Sequence, residues 1–143
     1  MAHFENRDWD TVGEGSSMPP LEFGPVTMTT QVMDASGTRD LYPIHHDKEF
    51  AKANGARDIF LNTMWYQGLL GRFVNEWGGP ESFIRKLSFD MRATNCPGDT
   101  LTVNGKVLKK YDQDGQKLVD LDVRIDNQDD SDTVTARITL ELA

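Results

Sequence analysis

The sequence predicts an α+β chain in which an antiparallel sheet wraps around one long central α-helix, and three observations predict it. Residues 62–77 repeat large apolar side chains every four positions. After residue 82 the apolar period drops to two and stays there to the end of the chain. The breaks between the alternating segments carry turn chemistry, at Pro97-Gly98-Asp99, Asp112-Gln113-Asp114-Gly115 and Asn127-Gln128-Asp129-Asp130.

Taken in order, residues 1–25 are rich in Gly, Pro, Ser and acidic side chains. They read as an extended arm over the surface, with Phe4, Trp9 and Leu21 as anchors. Residues 26–32 begin as a β segment or pass into a helix near Thr29, and the pattern is too short to decide. Asp47 is placed to cap a short helix, Lys48–Ala53, that Asn54-Gly55 closes. Asn62 or Thr63 can cap the central helix, and Gly78-Gly79-Pro80 stops it near Trp77. Its stripe is Trp65, Leu69, Phe73 and Trp77, flanked by Tyr66, Leu70 and Val74, wide enough for a helix buried on a sheet. Gly68 and Gly71 inside it predict close approach of the helix backbone to a strand or a ligand.

Four strands follow. Leu87, Phe89 and Met91 alternate with polar residues, as do Leu101, Val103 and Val107 more loosely around Gly105. Val119 to Ile125 and Val134 to Leu142 alternate cleanly. Four strands with one polar face each can cover an apolar helix only by curling around it as a meander. The chain reads as one domain, 1–143, without repeats or low-complexity tracts.

Composition narrows the function. Hydrophobic residues at 38% and charged residues at 27% describe a globular protein rather than a disordered one. A net charge of -8 opposes binding to nucleic acid or to an anionic membrane. Cys96 is the single cysteine, so no internal disulfide or thiolate zinc site can form, which fits a reducing cytoplasm. The start, MAHFENRDWDTVGEG, lacks the basic and apolar regions of a secretory signal.

The most unusual stretch is Arg39-Asp40-Leu41-Tyr42-Pro43-Ile44-His45-His46-Asp47. Pro43 fixes its own φ and pushes Tyr42 toward an extended conformation, so the segment is a stiff turn. A carboxylate and an imidazole five positions apart on such a turn make a sound acid–base pair. Asp40 could equally be a turn residue and a histidine a solvated side chain. A metal site from His45, His46 and Asp47 is the weaker alternative, because adjacent histidines seldom face one ion. Signatures of other chemistries, such as GxSxG, GxGxxG or a phosphate-cradling loop, are missing. Cys96, before a Pro-Gly turn, lacks a neighbouring histidine to activate it. Lys109-Lys110 and Arg85-Lys86 read as solvated faces or as holders of coenzyme phosphates.

Asp40-x-x-Pro43-x-His45-x-Asp47 resembles the hydratase motif of MaoC-like proteins. Cys96-Pro97-Gly98-Asp99-Thr100-Leu101 is similar to the Pro-Gly-Asp-Thr-Leu turn of the same family, and Phe50-Ala51 and Arg57-x-Ile59 fit its pattern. The resemblance implies a single hot-dog fold and (R)-specific hydration of a trans-2-enoyl-CoA, with Asp40 and His45 catalytic. Coenzyme A is then part of the substrate, and no cofactor or metal is implied. His-His-Asp followed by Asp58-Ile59-Phe60-Leu61-Asn62 resembles more narrowly the small subunits of actinobacterial steroid side-chain hydratases, which implies a bulky acyl group.

Two departures stand out. Tyr42 replaces the family's usual Asn, and Leu61-Asn62 replaces its His-Gly. The resemblance therefore assigns the thioester oxygen to the Asn62 backbone N–H and makes Tyr42 a substrate-binding residue. The acyl group is placed beside the central helix near Trp65, Tyr66 and Leu69, with plain core as the alternative role of those side chains. It also implies a homodimer or a heteromer with a second hot-dog subunit. The rival readings are a noncatalytic partner subunit and an acyl-CoA thioesterase. The latter would find only Glu76 as an acid on the central helix, near the wrong end.

Overall fold

The computed structural model describes residues 5–143, so Phe4 lies outside the described residues. The sheet has five antiparallel strands in the order β1-β3-β4-β5-β2. They are β1 (Ser17–Phe23), β2 (Phe83–Met91), β3 (Leu101–Gln113), β4 (Gln116–Asp126) and β5 (Val134–Leu142). The helices are α1 (Met28–Thr38), α2 (Lys48–Ala53) and α3 (Thr63–Gly78). The sheet wraps around α3, so the α+β hot-dog expectation holds.

Four features differ from the sequence reading. The arm contains an edge strand, β1, which pairs with β3. Met18 drives this, because its side chain is buried against Gly105 and Phe73. Pro19-Pro20 fall at the register shift between Met18 and Leu21, where a residue without an N–H interrupts the ladder least. Trp9 and Leu21 do pack against the core as anchors. Secondly, the strands do not run as a simple meander. β2 crosses to the far edge and pairs with β5, leaving β3-β4-β5 as the meander. Asp114 and Gly115, at φ 55 and 80, turn β3 into β4.

Thirdly, residues 28–38 are a helix throughout, despite the β-branched Val26-Thr27 and Thr29-Thr30. A capping box overrides local propensity: the Thr27 hydroxyl accepts the Thr30 N–H at 3.0 Å, and the Thr27 N–H donates to the Thr30 hydroxyl at 3.3 Å. Arg39, in the left-handed region at φ 58, ends it.

Lastly, the close approach of α3 to the sheet depends on a strand glycine. A Cβ on Gly105 would lie 2.7 Å from Phe73 Cε1, whereas one on Gly68 would meet nothing within 4 Å and one on Gly71 only Ile84 at 3.8 Å. The helix is also rotated from the expected stripe. Tyr66, Leu70 and Val74 are fully buried at its centre, and Trp65 and Trp77 are half-buried at its margins. Asp47 caps α2 through the Phe50 N–H, and Asn62 caps α3 through the Trp65 N–H, both as expected.

Candidate active site

Asp40 and His45 meet at the surface end of α1. The turn Pro43–His45 is one 3-10 turn begun by its proline, with Tyr42 extended before it at φ -63 and ψ 127. His45 Nε2 lies 3.4 Å from Asp40 Oδ2, and Asp40 Oδ1 accepts the Tyr42 N–H at 3.3 Å. The other ring nitrogen, Nδ1, is 2.7 Å from the Phe60 carbonyl. A carbonyl only accepts, so Nδ1 carries a proton and Nε2 is turned toward the carboxylate. The Gln31 side-chain amide donates to the His45 carbonyl at 3.1 Å and fixes the backbone. Three elements therefore orient one imidazole, which is 7% exposed.

The segment carrying Phe60 is itself clamped. The Leu61 N–H donates to the Asn95 carbonyl at 3.1 Å, Arg57 pairs with Asp99 at 2.5 Å, and Lys48 pairs with Asp58 at 2.8 Å. Burial alone would raise the Asp99 carboxyl, but the Cys96 N–H, Gln128 and Arg57 outweigh it and hold it below the usual carboxylate range.

The expected thioester-oxygen donor is engaged in the free chain. The Asn62 N–H donates to Asp34 Oδ2 at 3.0 Å, and the Asn62 amide donates to the Thr38 hydroxyl at 2.7 Å. Burial pushes the Asp34 carboxyl up; the Asn62 N–H and His45 offset part of this, and Asp40 adds to it. Sequence reasoning missed Gln31, Asp34 and Thr38, which all point from α1 to this site. Their signal was present, since positions 31, 34 and 38 share one face of a helix. It is hidden in the sequence because residues 26–32 are too short a pattern to decide between strand and helix.

The acyl-binding assignments divide. Tyr66 is fully buried in the free chain, and its hydroxyl accepts the Asn95 amide at 2.8 Å. Burial pushes its phenol well up, so it stays neutral. Tyr42 is exposed beside the pair, with its ring edge on Phe50. Trp65 packs on Phe23 and lines a groove of about 270 Å³ with Met64, Gly68, Leu69 and Arg72. Thus Gly68 opens onto a groove rather than a strand.

The rival chemistries find little. His46 Nε2 faces the Leu41 carbonyl at 3.0 Å and Asp47 caps α2, so the histidines and Asp47 do not converge. Among the described residues, no three His, Cys, Asp or Glu side chains gather as a metal site. Cys96 is buried, and burial raises its thiol above the ordinary range, which disfavours a thiolate. Glu76 is bonded to Arg72 at 2.7 Å, one helical turn away. Arg85 pairs with Glu141, while Lys109 and Lys110 lie over Tyr111 and Trp9. Among the described residues, no helix is long and apolar enough to cross a membrane.

Comparison with known proteins agrees with the motif and the fold. The model of the MaoC like domain family matches residues 19–128. The beta subunit of 3-oxo-4,17-pregnadiene-20-carboxyl-CoA hydratase from Mycobacterium tuberculosis is 35% identical over 94 residues, 65% of this chain and 71% of that protein. The structure of the ChsH1-ChsH2 complex from the same organism superposes with a TM-score of 0.83 at 32% identity, covering 93% of this chain and 99% of that one. An (R)-hydratase from A. caviae involved in PHA biosynthesis gives a TM-score of 0.80 at 19% identity, over 93% of this chain and 98% of that one, a likeness of fold. The matched residues include the Asp40–Asp47 motif and the turn at Pro97-Gly98-Asp99, and the chain belongs to the MaoC-like domain family.

Proposed function

We propose that the protein hydrates a trans-2-enoyl-CoA to an (R)-3-hydroxyacyl-CoA, reversibly, using Asp40 and His45. One observation carries the reading: an imidazole whose Nδ1 proton is committed to Phe60 presents Nε2 to a carboxylate oxygen 3.4 Å away. One water beside the pair, about 2.8 Å from each atom, can bond to both at once. The water oxygen adds to C3 as its proton passes to Asp40. C2 takes a proton from Nε2 of the doubly protonated imidazole, and the proton on Asp40 then returns to Nε2. The net addition is one water. Negative charge that develops on the thioester oxygen is received at the positive N-terminus of α3, by the Asn62 N–H.

The acyl group is proposed to be bulky and apolar, and steroid-like in size. The similarity to the Mycobacterium tuberculosis beta subunit supports this. So do Leu41 and Tyr42, exposed directly after Asp40, and the groove beside Trp65. The same relative is a beta subunit, and a similar structure was solved as a ChsH1-ChsH2 complex. These support a working assembly with a second hot-dog subunit, identical or different. A cytoplasmic location is part of the proposal, and the free thiol of Cys96 supports it. Coenzyme A enters as part of the substrate. A purely structural role is disfavoured, since it gives no reason to fix the His45 tautomer.

The test is loss of enoyl absorbance with short, medium and bulky cyclic trans-2-enoyl-CoA substrates. Activity in the wild type that falls at least a hundredfold in Asp40→Asn is the expected result. Unchanged activity in Asp40→Asn, or none in the wild type with any substrate, refutes the reading.

A further inference from the structure

Helix α3 begins with a donor that is already taken, and its occupant comes from a distant part of the chain. Asp34 sits on α1 and is 4% exposed. Its Oδ2 accepts the Asn62 N–H at 3.0 Å, while its Oδ1 is buried without a partner. One turn earlier, Gln31 Oε1 is also buried and unpartnered, although the same amide group donates to the His45 carbonyl. An unpartnered buried acceptor is destabilising, so two of them on one helix face need a reason. Neither atom is required to cap α3, because the Asn62 side chain does that through the Trp65 N–H.

We propose that Asp34 is an internal occupant of the thioester-oxygen site: its carboxyl holds the Asn62 N–H in the free protein and yields it to the thioester oxygen when acyl-CoA binds. The proposal rests on the hydratase reading and deepens it. A carboxylate is a stronger acceptor than a thioester carbonyl, so the exchange opposes binding of the ground state. The cost of freeing the Asn62 N–H from Asp34 is the same for the ground state and the transition state, so Asp34 weakens both alike, which raises KM and leaves kcat unchanged. It acts through Asn62, as a positioning residue.

The test uses the full-length chain as wild type, Asp34→Ala, Asp34→Asn and Asp40→Asn. Binding of butyryl-CoA and cyclohexanecarbonyl-CoA, which have no double bond to hydrate, is measured by calorimetry. The Asn62 amide is followed by NMR, and KM and kcat are measured on the matching enoyl-CoA. The expected result is about tenfold tighter binding and lower KM in Asp34→Ala, from release of a charge-assisted hydrogen bond, with kcat not raised. Asp34→Asn gains less, because its neutral amide oxygen still accepts. The wild-type Asn62 amide resonance shifts when butyryl-CoA is added. A helix-fastening role for Asp34 predicts the reverse, with both variants binding no better or worse.

Equal or weaker binding by folded Asp34→Ala, an Asn62 amide that ignores the ligand, or no binding by any variant overturns the proposal. If Asp34→Ala does not fold, Asp34→Asn decides it by the same criterion. Hydration that persists, and is abolished by Asp40→Asn, while the Asp34 variants bind no better refutes Asp34's role alone. Absence of hydration in the wild type refutes the underlying reading.

Discussion

Removing the Asp99 carboxyl should cost far more stability than removing Arg57, its most visible partner. Asp99 is 1% exposed and accepts the Cys96 N–H at 2.7 Å, the Gln128 amide at 2.9 Å and Arg57 at 2.5 Å. Asp99→Ala leaves the Cys96 N–H buried and unpaired, which costs about 1–3 kcal/mol. It also frees the amide of Gln128, which is exposed and keeps a bond to Asp129, so water takes over there at little cost. Arg57 is 54% exposed, so water takes over its guanidinium and its share is small. The total is about 2 kcal/mol, or roughly 7 °C in Tm for a chain of this length. Arg57→Ala should lower Tm by about 3 °C or less.

Thermal unfolding followed by circular dichroism at pH 7 compares the two. A titration adds a check of sign. Because folding depresses the Asp99 carboxyl, its stabilisation is fully present above the ordinary carboxylate range and is lost as pH falls through the folded value. The gap between wild type and Asp99→Ala should therefore narrow in acid. Equal losses in the two variants at pH 7, or a gap that widens in acid, would refute the argument.

Two further substitutions probe the packing around α3. Gly105→Ala places a Cβ 2.5 Å from Met18 Sδ and 2.7 Å from Phe73 Cε1, and should cost about 2 kcal/mol in the denaturant midpoint. A neutral result would mean that β1 and α3 move apart easily. Tyr66→Phe removes an acceptor from Asn95, whose amide keeps a second bond to the Thr133 hydroxyl, so the loss should be about 1 kcal/mol. Hydration should persist in that variant; a tenfold fall in kcat would put Tyr66 in the substrate site.

Where one signal decided an element, the sequence displayed it. The Asp47 and Asn62 caps, the stop at Gly78 and the alternation of β4 and β5 are local, and each sits where its chemistry put it. The errors share a different cause. β1 is a strand because Met18 fills the space above Gly105, a contact between residues 87 positions apart that no local pattern displays. β2 lies beside β5 rather than β3 because the sheet must close around α3, and alternation is silent about neighbours. Residues 26–32 were ambiguous because their β-branched propensity competes with a capping box that only the folded geometry completes.

The site repeats this division between what is local and what is remote. Asp40 and His45 lie five positions apart on one stiff turn, so their partnership can be read directly from the chain. What makes the imidazole useful is supplied from outside the turn. Phe60 fixes its tautomer with a backbone carbonyl, an atom every residue possesses and no sequence motif can mark. Gln31 holds its backbone from α1. Asp34 and Thr38, on that same face of α1, hold the head of α3 through Asn62. One short helix therefore governs both the imidazole and the expected oxyanion donor. Substitutions on its buried face should disturb both together, although none of those side chains belongs to the proposed catalytic pair.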